Sequence, residues 1–170
     1  MMIGKKFIPD WLTFAILLVI SFCFVFDGFS FVNADKKVMS DNQYENICQM
    51  AYKMSVCMEN SSKAIKDGDA SELHSAIDEI NSAVSYIKSA DIPDEFDTYV
   101  DTTVQALEKA KEICVSILAG DRDTASKQAM ELSELLDNST VAFEDGLKAI
   151  GCKYSKYGND IRFSQFAKEG

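Results

Sequence analysis

The chain has 170 residues, 47% of them hydrophobic and 26% charged, with a formal net charge of −10. A surface this acidic repels phosphate backbones and leaves nucleic acid out as a partner. The length supports one domain with a real core, and nothing after residue 34 is apolar for long enough to make a spanning helix.

Residues 1–34 have the three-part pattern of a secretory signal. Lys5 and Lys6 make the start basic, the sixteen residues from Trp11 to Phe26 are almost wholly apolar, and Val32-Asn33-Ala34 puts small residues where an export peptidase reads them. The expectation is a leader cleaved so that the mature chain begins at Asp35. The alternative is an uncleaved anchor running from Trp11 to Val32, which Asp27 and Gly28 interrupt. In either case Lys5 and Lys6 hold the start of the chain inside and place the body outside, and the membrane is a partner only through residues 11–32. Cys23 follows the bulky Phe22, whereas a lipoprotein cysteine needs a small residue before it, so it reads as part of the apolar segment. Without the leader the body keeps 15 basic against 25 acidic residues.

The body, 35–152, divides into four amphipathic helices. Ser40 with Gln43 three residues on forms a capping box for a helix over 41–66, whose Tyr44, Ile47, Ala51, Met54, Met58 and Ile65 fall on one stripe. Gly68 ends it, and Asp69 with Glu72 starts the second helix, where Leu73, Ile77, Ile80, Val84 and Ile87 form the cleanest seam in the chain. Pro93 stops that pattern and opens a third helix, with Phe96, Val100, Thr103, Leu107, Ala110, Cys114 and Ile117 on one face. Gly120-Asp121 repeats the Gly68-Asp69 turn. The fourth helix carries Ala129, Leu132, Leu136, Phe143, Leu147 and Ile150, with Gly146 read as a kink or an early end. The tail, 153–170, is expected to pack back on the bundle or fray.

Short connections make sequential helices antiparallel, and their stripes can be hidden only against one another. The fold class is therefore all-α, an up-down-up-down four-helix bundle preceded by an N-terminal hydrophobic export helix, with the first and third helices diagonal.

No constellation of reactive side chains is legible. His74 is the single histidine, lies about 100° from the Leu73 stripe and has no Glu-x-x-His step near it, so it reads as a surface or boundary residue and not a ligand. Asp94, Glu95, Asp97 and Asp101 fit the positive end of a helix dipole better than a calcium loop. Cys48 and Cys57, nine residues apart on one helix, point to opposite flanks and cannot bridge, and Cys57, Cys114, Cys48 and Cys152 mismatch in height across helices. Buried free thiols are the expectation for all four. Asn60-Ser61-Ser62 and Asn138-Ser139-Thr140 match the glycosylation acceptor pattern. No catalytic, cofactor-binding or metal residue is assigned, and no cofactor.

Two resemblances bear on function. Ile92-Pro93-Asp94-Glu95-Phe96 opening a helix, with Ile117-Leu118-Ala119-Gly120-Asp121 before another, resembles small exported helical domains of unknown function in Gram-positive bacteria, several of them lipoproteins. The Cys48 to Cys57 spacing and the Gly120-Asp121 turn are similar to the plant inhibitors of invertase and pectin methylesterase. That second likeness implies a Cys48–Cys57 disulfide closing a small hairpin ahead of the bundle, although Val100 and Val141 stand where the family's second cysteine pair would fall. The leading functional expectation is a non-enzymatic, extracytoplasmic structural or protein-binding module at the cell envelope, its partner an unidentified protein or envelope component. An exported inhibitor of an extracellular enzyme is the alternative.

Overall fold

In a computed structural model, residues 37–157 and 160–168 are described; residues 1–34, with the expected leader, Cys23 and the expected cleavage before Asp35, lie outside them. Four helices follow in order: α1 (Asp41–Asp67), α2 (Ala70–Ser89), α3 (Asp97–Leu118) and α4 (Arg122–Ala149). A 3-10 turn, Asp94–Phe96, leads into α3. Two strands, β1 (Cys152–Tyr157) and β2 (Asp160–Ala167), pair antiparallel after α4.

The helix ends obey the local chemistry of the sequence. Ser40 Oγ accepts from the Gln43 amide at 3.1 Å while Gln43 Oε1 accepts from the Ser40 amide at 3.0 Å, the reciprocal capping box. Gly68 adopts φ 67° at the end of α1, a left-handed conformation with no steric penalty for glycine, and its amide reaches Ala64 O. Asp69 caps α2 through the amides of Ser71 and Glu72, and Asp121 caps α4 through that of Thr124.

Each predicted stripe is buried or half-buried, and Ile47, Met50, Ile80, Phe96, Leu107 and Leu147 are sealed from solvent. The packing differs from a square bundle in one respect. α3 lies against α1, α2 and α4. The first and third helices are thus neighbours and not a separated diagonal. Burial on several sides explains why Tyr99, Ala106 and Ile113, off the predicted stripe of α3, are as inaccessible as the residues on it.

The hairpin packs on both α1 and α4 and adds to the expected helical fold a small antiparallel sheet that the sequence did not announce. Phe163 of β2 sets its ring 5.2 Å from Tyr44 of α1 and 5.3 Å from Phe143 of α4. Lys156 of β1 pairs with Glu144 of α4. The chain entering α1 also joins the sheet, since Lys37 bridges to Phe166 and the Val38 amide donates to Gln165 O at 2.9 Å. β2 is therefore flanked on both sides, which satisfies backbone groups that an edge strand would expose.

Gly146 neither kinks nor ends α4. A Cβ built there would lie 2.7 to 3.0 Å from the Phe96 ring, so the missing side chain lets the 3-10 turn press against the helix. Around that contact Phe96, Tyr99, Phe143 and Phe163 form one aromatic cluster, with Tyr99 and Phe143 centroids 4.8 Å apart.

Candidate functional site

A cleft of about 630 Å³ lies at the end of the bundle where α1 begins and α4 stops. Lys37, Val38 and Gln43 form one wall, the Asp91–Glu95 loop another, and Ala149 with Ile150 a third. The loop is held by α1. Asn46 donates to Asp91 O at 3.0 Å and accepts from the Tyr86 hydroxyl at 3.1 Å, while Asn42 donates to the Asp91 carboxylate at 3.3 Å. Fixing residue 91 leaves Pro93 free to set the turn that delivers Phe96 to the core, where the Phe96 amide bonds Pro93 O.

The cleft has two chemistries. Val38, Ile92 and Ile150 are partly buried against the core and offer apolar surface, whereas Asp91, Asp94 and Glu95 are exposed along the rim. Such a surface suits a segment with apolar and basic side chains. Asp97 and Asp101 are exposed on α3 outside the lining, so the acidic run is split between the cleft and the open helix face.

The other sequence candidates fall elsewhere. His74 is exposed on α2, on the flank that the helical period gives it, far along the chain from the cleft. Cys48 and Cys57 both sit inside an uninterrupted α1, Cys114 in α3 and Cys152 at the start of β1, and all four thiols are free. The disulfide-closed hairpin implied by the plant inhibitors has no counterpart here, because α1 is continuous through both cysteines. Burial pushes each thiol up to about 11. Burial also raises the Tyr44 hydroxyl, to about 12, and the Tyr99 hydroxyl further.

Both glycosylation patterns lie in mid-helix and are engaged in packing. Asn60 donates to Glu79 at 2.7 Å, and Ser139 shares a buried 3.1 Å hydrogen bond with Thr103 between α4 and α3. Among the described residues no three or more His, Cys, Asp or Glu side chains gather as a metal site would require, and no helix is long and apolar enough to cross a membrane.

Sequence reasoning missed the cleft, because its walls come from three separate parts of the chain. Only the proline and its acidic neighbours gave a signal. Compared with known protein families, characterised proteins and solved structures, the chain matches none of them.

Proposed function

We propose that the chain is exported by residues 1–34 and works outside the cytoplasmic membrane as a non-enzymatic module that binds a protein or another envelope component. The finer architecture that goes with this reading is an up-down-up-down bundle behind a hydrophobic export helix. The observation that carries the binding role is the end cleft, with apolar Val38, Ile92 and Ile150 set beside exposed Asp91, Asp94 and Glu95. A partner segment with an apolar side chain for the floor and a basic one for the rim meets both chemistries.

Affinity capture from an envelope fraction tests it, comparing the natural chain with one carrying Asp94→Lys and Ile92→Asp. A stoichiometric protein recovered by the first and lost by the second is the expected result. Equal recovery by both, or one equivalent of a metal or haem copurifying with the chain, would overturn the proposal.

A further inference from the structure

We infer that, once residues 1–34 are removed, the new amino terminus at Asp35 turns into the end cleft of its own domain and sets its α-ammonium against the carboxylates of Asp94 and Glu95. The inference rests on the expected cleavage before Asp35. It makes the cleft self-occupied in the mature chain and open in the precursor, where residue 35 follows an uncharged peptide link.

The place of entry carries the first part. Lys37 and Val38 belong to one wall of the cleft, so only Asp35 and Lys36 separate the new terminus from it. Two residues span at most about 7 Å, which keeps the ammonium at the cleft. Its direction is set as well. Lys37 bridges Phe166 antiparallel, and a chain followed from there toward its own start runs along β2 toward Lys168. The Lys168 amide donates to Gly151 O at 3.0 Å, next to Ala149 and Ile150 of another wall. Asp94 and Glu95 open the 3-10 turn whose Phe96 presses on Gly146, one helical turn before that wall. The path of the terminus therefore ends beside the acidic rim.

Charge carries the second part. Asp91 accepts from Asn42 at 3.3 Å, whereas Asp94 and Glu95 are exposed and, among the described residues, make no side-chain hydrogen bond or ion pair. The cations of the neighbouring elements are already paired, Lys37 with Asp41 at 2.8 Å and Lys148 with Asp145 at 2.9 Å. Lys168, exposed beyond β2, opposes the ammonium. The C-terminal end of α4 lies in the same wall and favours a cation. The rim is thus a negative field that the paired cations do not meet, and the mature start brings a positive charge within reach of it. A basic group from a partner then has to displace the chain's own terminus.

Amino-terminal sequencing of the exported product comes first: any start other than Asp35 would remove the cleavage reading, and this inference with it. On the mature chain, the pH dependence of α-amine acylation is then read by mass spectrometry, native and in urea. Against an ordinary midpoint of about 7.7–8.0, the native chain's should lie at least about 0.5 pH unit above that in urea, which is about threefold slower acylation at neutral pH, because the carboxylates favour the protonated amine. Asp35 stays beside its own ammonium in urea, so the difference belongs to the fold. Asp94→Asn with Glu95→Gln should abolish it, and salt should diminish it. Asp101→Asn, on the open face of α3, should leave it intact. Equal midpoints in the native and unfolded chains, or a rise that survives the double substitution, would overturn the docking while leaving export and cleavage untouched.

Discussion

At position 146 a glycine in the interior of a helix is a packing device. Alanine is a better helix former by about 1 kcal/mol, yet its Cβ would sit 2.7 Å from the Phe96 ring. The ring is fully buried against Tyr99 and Phe143 and has no room to yield. Gly146→Ala is therefore expected to destabilise the domain by about 1–3 kcal/mol in urea denaturation, the usual cost of overpacking. A stabilised variant would show that the ring can move and that propensity decides the site.

The thiols make a second prediction at this scale. Cys48, Cys57, Cys114 and Cys152 have folded values near 11, raised by burial, against an ordinary value near 9. A raised folded value means that the unfolded chain ionises first as pH rises. Thiol burial therefore leaves stability unchanged below about pH 8 and removes it between about 9 and 11. Chemical denaturation across that range should show a falling midpoint, and replacing Cys57 and Cys114 by Ala should flatten the fall even though it lowers stability at neutral pH. A slope unaffected by the replacement would contradict the assignment.

At the scale of elements, what was legible and what was not separates by how local the cause is. Caps and turns are set by neighbours in sequence, so Ser40, Gly68, Asp69, Gly120 and Asp121 announce their roles directly. The seam of α2 is equally plain, since a single apolar stripe explains it. Tyr99 was not legible because α3 is enclosed by three helices and buries more than one stripe, which no single-face template describes. The hairpin was hidden for another reason. Its core-facing side mixes Tyr154, Ile161 and Phe163 with Lys156 and Gln165, so the period-two pattern of a strand is broken by polar residues that answer to Glu144 and to the entering chain. The walls of the cleft come together only through the fold.

Two element-scale variants follow. Ile80→Asp places a charge at a fully buried position of α2 and should cost about 4 kcal/mol or more, enough to unfold a marginal domain; unchanged circular dichroism and melting would refute the packing at its centre. Phe163→Ala removes the ring that links α1 to α4 and should cost about 2–3 kcal/mol. Hydrogen exchange should then speed up over β1 and β2 before the helices are affected. Uniform acceleration would mean that hairpin and helices open as one unit.

On the scale of the whole molecule, function rests on polarity of place and of charge. The entering chain, the hairpin and the cleft share one end, and the two Gly-Asp turns lie at the other. The helices carry most of the acidic side chains, and on the proposed function the cleft selects the partner. On that proposed function this domain lies outside the cytoplasmic membrane. Protease treatment of intact cells, with the cleaved and released fragments identified by mass spectrometry and the amino terminus sequenced, tests it most directly. Digestion of the helical domain in intact cells, or its recovery in the medium beginning at Asp35, is the expected result; protection of the domain until the membrane is lysed would contradict the account.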